Sequence, residues 1–278
     1  MMRAVLVALM LWAGAGLAQA EETPLHSLLT ADETRGWEAV GRINLGDSGF
    51  CTGALIAPDL VLTAAHCLFD QQSFQPYPVN TIEFLAGWRN GRAAAYRGVR
   101  RAMAHPSYTY DGTDKMGRVA YDIALLQLDQ PIRLSSIKPF DVAADPQEGD
   151  KVSVVSYALD RSEAPSMQDI CHVLGRQPGF MVLTCNVDFG SSGAPVFVMH
   201  DGVPQIASVI SAKAEMDARP VSLASAMEVP LTELRQAFGA ADATTPGVRR
   251  IGSGALVSGR SAATGAAMSA GGAKFVRP

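Results

Sequence analysis

Three side chains in this sequence have the types and settings to do acyl chemistry together. Ser192 stands in Phe189-Gly190-Ser191-Ser192-Gly193-Ala194-Pro195, a glycine-bracketed turn that follows Cys185 and runs into the apolar Val196-Phe197-Val198. Neighbours with little or no side chain let a substrate carbonyl approach the main chain, and such a turn can aim backbone amides where the hydroxyl points. Taken alone, it is also what an ordinary hairpin turn looks like. A serine hydroxyl is a poor nucleophile at neutral pH and needs a general base, normally a histidine, whose free pKa is about 6.5. Among five histidines, His66 ends the apolar run Leu62-Thr63-Ala64-Ala65 and precedes Cys67, where a disulfide would hold the imidazole rigidly. His105 precedes Pro106 and marks a loop, while His26, His172 and His200 sit near polar or turn positions and read as structural or exposed. The imidazole in turn needs a buried acceptor for its other ring nitrogen. Asp122 is the candidate, because it stands directly before the apolar Ile123-Ala124-Leu125-Leu126, and a carboxylate at the mouth of a buried strand is costly unless hydrogen-bonded.

The elements that must position these groups are short strands. From Trp37 onward, brief apolar runs alternate with Gly, Pro, Asp and Asn, and almost no helical periodicity is present. Candidate strands run over 39–45, 50–56, 60–63, 81–86, 96–104 and 123–128, then over 151–157, 170–174, 180–185, 195–199, 205–211 and 221–229. Two sets of about six strands predict two packed antiparallel barrels or sandwiches. Pro230 to Ala240 predicts a helix, with Pro230 in its first turn, Leu231, Leu234 and Phe238 at helical spacing and Gly239 near its end. That helix is expected to pack on the second barrel.

The 278-residue chain is 48% hydrophobic, enough to bury a substantial core and too apolar for a disordered protein. Its net charge of -4 gives no reason to expect a nucleic-acid partner. Residues 1–20 carry a lone Arg3, an apolar run from Ala4 to Ala18 and the small-residue triplet Ala18-Gln19-Ala20, which predicts a secretory signal peptide and not a membrane anchor. Residues 21–36 read as a lead-in or pro-segment, and residues 241–278, rich in Gly, Ala, Ser and Thr, as a flexible tail. Export, to the periplasm or the medium, places the four cysteines in an oxidising compartment. They fall into two local pairs, Cys51 with Cys67 and Cys171 with Cys185, although four cysteines allow three connectivities. Neither pair has close chelating spacing, so no metal and no cofactor is expected.

Three ordered blocks, FCTGALIAPDLVLTAAHC, YDIALLQL and FGSSGAPVF, resemble the histidine, aspartate and serine blocks of the trypsin-like, chymotrypsin-fold serine peptidases. The resemblance covers Trp37 to Ala240. It implies an all-β fold of two packed six-stranded antiparallel Greek-key β-barrels with a C-terminal helix: 37–130 carrying His66 and Asp122, and 131–240 carrying Ser192. It implies catalysis by Ser192, His66 and Asp122 through an acyl-enzyme, an oxyanion hole from the amides of Gly190 and Ser192, and a Cys51–Cys67 disulfide beside the catalytic histidine. Polypeptide substrates, no stable membrane anchor and a monomer follow from the same resemblance.

Ser191 stands where the digestive members carry an aspartate that pairs with a new amino terminus, and no apolar activation terminus precedes Trp37. The chain therefore resembles bacterial secreted members, including glutamyl-endopeptidase-like enzymes, which lack that switch. Asn186 falls at the pocket position where an aspartate gives trypsins their preference for Arg and Lys. Ser211 and Lys213, on the strand expected to line the other wall, complete the candidate pocket; Lys213 could meet an acidic substrate group or simply be solvated. Two other functions use the same residues: a protease-fold binding or scaffold protein with a closed pocket, and a triad esterase.

Overall fold

The computed structural model describes residues 22–46, 49–111, 114–243 and 274–275. The expected signal peptide and most of the expected tail lie outside the described residues. After β1 (His26–Ser27), the strands β2 (Val40–Leu45), β3 (Phe50–Ala57), β4 (Leu60–Thr63), β5 (Ile82–Ala86), β6 (Ala95–Ala104) and β7 (Ala124–Leu128) form a closed barrel in the order β2-β3-β4-β7-β6-β5. A short helix, α1 (Lys115–Ala120), precedes β7; Asp114 caps it by accepting from the amides of Met116 and Gly117. The second half comprises β8 (Lys151–Ala158), β9 (Arg161–Gln177), β10 (Phe180–Leu183), β11 (Pro195–His200), β12 (Val203–Met216) and β13 (Arg219–Ser225). Their path runs β9-β10-β13-β12-β11-β8, and antiparallel pairing of β8 with β9 joins its ends into a ring. The chain closes with α2 (Glu228–Ala243) and β14 (Lys274–Phe275).

The strands fall where the apolar runs placed them because each run has a core to face. In β7 every residue but Gln127 is buried, since both faces of this strand are covered. Ile43, Leu55, Phe84 and Leu125 fill the first barrel, and the same apolar cluster continues into Tyr157, Phe197, Ile206 and Val209 of the second half. The two halves therefore share a core at their junction.

Two expectations are corrected. The helix forms, but Leu231, Leu234 and Phe238 join the core of the first barrel, with α2 against β7 and the Arg101 guanidinium of β6 only 3.4 Å from the Phe238 ring centre. An apolar stripe is legible in sequence; which surface receives it is not. Of residues 21–36, read as a lead-in or pro-segment without clear strand pattern, His26–Ser27 are built into the second sheet: β1 pairs with β9 at Met167 and Ser166, and Leu28 beside it is buried. Thr23 exchanges bonds with Ile170, accepting from its amide through Oγ1 at 2.8 Å and donating its own amide to Ile170 O at 3.0 Å. Two residues are too few to show period-two alternation, so nothing in the sequence marked this strand.

Because this strap sits on the outside of a ring that closes without it, loosening it should lower stability and leave the barrels intact. Leu28→Ala is expected to cost about 2 kcal/mol, the lower end for a buried leucine truncation. Urea denaturation checks this: the midpoint should fall while the far-UV spectrum of the folded form stays the same.

Candidate active site

His66 lies in a 3-10 turn, Ala65–Leu68, that caps β4. The Cys51–Cys67 disulfide ties this turn to β3. Asp122 follows α1 and is 3% exposed. Its carboxylate receives three donors: the His66 amide at 2.8 Å on Oδ1, and on Oδ2 both His66 Nδ1 at 2.7 Å and the hydroxyl of Ser211. A carboxylate this buried stays in place only when its oxygens are satisfied. Donation from Nδ1 leaves His66 Nε2 without a proton and turned to act as an acceptor. The neighbouring Cys51 and Cys67 sulfurs are committed to their disulfide and offer no thiolate to a metal.

Ser192 comes from the second half, in the turn before β11. That turn is pinned by main-chain bonds. Thr52 N donates to Ser192 O at 2.8 Å, Thr52 Oγ1 donates to Gly190 O at 2.9 Å, and Gly193 N donates to Ile210 O at 2.8 Å. Gly193 has φ +79°, and a Cβ there would meet Thr63 Oγ1 at 2.1 Å and Thr52 O at 2.3 Å. Gly190 has φ +98° and the Phe50 ring against it. Both glycines are thus required by left-handed backbone and by close approach of the first barrel. Among the described residues, the amides of Gly190 and Ser192 have no protein acceptor, which leaves two donors free beside the serine.

Ser191 faces away from the cleft and is fully buried. Its hydroxyl has Ser156 Oγ at 3.2 Å and Tyr157 O at 3.3 Å as alternative acceptors for its one proton, and accepts from Arg161 Nη2 at 3.4 Å and the Asp188 amide at 3.3 Å. A web of mostly neutral bonds thus fixes the underside of the Ser192 turn. Behind it, Cys171 and Cys185 form the second disulfide.

A cleft of ≈ 1410 Å³ between the halves brings together His66, Asp122, Gly190, Ser192, Ser211 and Lys213. Of the candidate pocket residues, Ser211 serves Asp122, and Lys213 Nζ lies 3.3 Å from Asp188 Oδ2. Asn186 is not brought in. It is exposed, outside the cleft lining, and its amide donates to Gln168 Oε1 at 2.7 Å. Counting back from the nucleophile fixes a position along the chain but not the path of the loop. The other histidines take no part: His105 is buried between Tyr121 and Glu233, and burial lowers its pKa against the opposing pull of Glu233.

Sequence reasoning missed the cleft's aromatic wall, where Phe69 stacks on Tyr110 at 5.0 Å and Tyr108 lies beside Asp122. Burial, then the Asp122 charge, raises the Tyr108 phenol above its ordinary value and keeps it neutral. The signal was present as two tyrosines in an otherwise polar loop, His105 to Asp114.

A histidine–carboxylate pair from one β-barrel facing a serine turn from another is the arrangement of the chymotrypsin-like serine peptidases. The solved structure of a Glu endopeptidase in complex with MPD shares this fold, with a TM-score of 0.62 over 80% of this chain and 98% of that one at 17% identity. A family model described as Trypsin matches residues 30–229, and the chain belongs to the trypsin family. Relatives include the modular serine protease of Drosophila melanogaster, 37% identical over 93 residues, and the suppressor of tumorigenicity 14 protein homolog of Bos taurus, 34% identical over 109. These matches cover 31% and 36% of this chain but only 14% and 12% of those larger proteins.

The close approach at Gly193 gives a sharp test of the site's construction. Gly193→Ala is expected to destabilise the protein by about 3 kcal/mol or more, since the backbone angle and the space both exclude a Cβ. Thermal melts check it, with Gly202→Ala as control: that glycine has φ +78° but open space around it, so its penalty should be the smaller.

Proposed function

We propose that this protein is an exported serine endopeptidase that cleaves polypeptides through Ser192, His66 and Asp122. The observation that carries the reading is the pair His66 Nδ1–Asp122 Oδ2 at 2.7 Å, in a cleft that also holds Ser192 and the unpaired amides of Gly190 and Ser192. In the first step Ser192 Oγ attacks the scissile carbonyl carbon and its proton passes to His66 Nε2. The Gly190 and Ser192 amides donate to the oxyanion, and such a donor contributes about 10² to 10³ in rate. His66 then protonates the leaving amine, the C–N bond breaks, and an acyl-enzyme remains on Ser192. Water, giving its proton to His66, attacks the acyl carbon; the bond to Ser192 Oγ then breaks, His66 returns the proton to Oγ, and the acid leaves. Asp122 stays ionised throughout, holding the imidazole's orientation and stabilising the imidazolium. His66 and Ser192 line the same cleft, and a hydrogen bond from Ser192 Oγ to His66 Nε2 is the one that substrate binding has to bring about.

Two disulfides and the apolar N-terminal run support export, and no helix among the described residues is long and apolar enough to cross a membrane. Within the cleft lining, Asp188, the carboxylate in the loop just before the Ser192 turn, already faces Lys213. Cleavage after Arg or Lys is therefore disfavoured.

Fluorophosphonate labelling of the folded protein should occur and be lost in Ser192→Ala; absence of Ser192-dependent labelling would overturn the reading. Asp122→Asn should lower kcat by about 10⁴-fold with little change in KM, because it upsets the tautomer without emptying the cleft. A peptide-library profile separates endopeptidase from esterase, and clustering of cuts after Arg or Lys would refute the pocket argument.

A further inference from the structure

The strand that lines the cleft, β12, has two edges. Along one, β13 pairs with it from Val209 to Met216. Along the other, β11 pairs from Val203 to Val209, and the bond from Gly193 N to Ile210 O ends that ladder. The next three residues, Ser211, Ala212 and Lys213, line the cleft with Ser192 and have no strand on this edge among the described residues. Immediately beyond them, β14 pairs antiparallel with β12, Phe275 opposite Ala214 and Lys274 opposite Glu215. Since β13 already occupies the far edge of Ala214 and Glu215, β14 lies on the edge that leads to Ser192.

Direction decides what this pairing means. In an antiparallel ladder the chain of β14 advances as β12 retreats, so any extension of this pairing past Phe275 would run along Lys213, Ala212 and Ser211 in turn. The 30 residues between α2 and β14 give ample reach for this return.

We propose that the free edge of Ser211–Lys213 is a docking site for the chain's own segment Lys274–Pro278. There it adds a strand and competes with substrate for the main-chain groups beside Ser192. This rests on the reading of the cleft as a peptidase site. An extended peptide adds to an exposed sheet edge by main-chain hydrogen bonds, largely without regard to side chains, so a tethered segment and a substrate contend for the same groups. Tethering supplies an effective concentration in the millimolar range, enough for a weak strand to hold the edge part of the time.

The test compares the full chain with one ending at Ala273. With Ser192→Ala in both, so that neither cuts itself, hydrogen exchange at the amides of 212–215 should be faster in the shortened protein; equal exchange overturns the proposal. With Ser192 restored, the shortened protein should show a KM for a peptide substrate lower by roughly twofold to tenfold, as expected for removing a tethered competitor. The synthetic peptide Lys-Phe-Val-Arg-Pro should inhibit it competitively. Equal KM, or relief of inhibition on dilution of the full chain, which would put the tail of a second copy on the edge, refutes docking within one chain. Exchange does not need catalysis, so failure of both proteins to label with fluorophosphonate strikes the peptidase reading alone.

Discussion

A carboxylate that is almost out of reach of water must find donors for its oxygens, and Asp122 finds them in both halves of the molecule. Two come from the His66 turn of the first barrel and the third is Ser211 on β12 of the second. Much of the architecture follows from satisfying this one group. The disulfide that ties Cys67 to β3 fixes the histidine turn, α1 delivers the aspartate to the start of β7, and the junction core from Leu55 and Leu125 to Phe197 and Val209 holds β12 near enough for its hydroxyl to reach. Each single bond is worth little net, but leaving a buried carboxylate oxygen unmet costs more than any of them contributes.

The nucleophile turn obeys a second constraint of the same kind. Its carbonyls and amides bond to Thr52 of the first barrel and Ile210 of β12, and the glycines are dictated by left-handed backbone and by the close approach of Phe50, Thr52 and Thr63. Histidine, aspartate and serine are thus each carried by an irregular turn, and each turn is over-determined by rigid strands around it. That is how a site can be precise without any of its members lying within a strand.

Much of this was legible in the sequence because it is local. Apolar runs such as Leu60–Thr63 bury in sequence order, and the strands of the first barrel have the expected bounds within a residue or two, whereas β9 and β12 run well past theirs and β13 ends short; the glycines of FGSSGAP announced a constrained turn. The three blocks named the chemical groups for the same reason. What stayed hidden depends on partners far along the chain. β1 is too short to alternate, and the apolar stripe of α2 could not name the barrel that receives it. That Ser211 of the candidate pocket also donates to Asp122 depends on a partner 89 residues away, and Asn186 lies on a loop whose path no count of residues supplies.

Each barrel is made from one uninterrupted stretch of chain, β2 to β7 and then β8 to β13. Domains closed from contiguous sequence generally fold as units, the N-terminal one first. The histidine–aspartate pair therefore belongs to a ring of strands that can close while the serine is still to come, but α2, which covers its core, and Ser211, which reaches Asp122, arrive only with the second half. On the proposed reading of an exported peptidase, this order of assembly has a protective meaning. A half-made molecule would then hold the proposed base in folded form without the proposed nucleophile, so the capacity to cut would arrive with the last docking event and not before it.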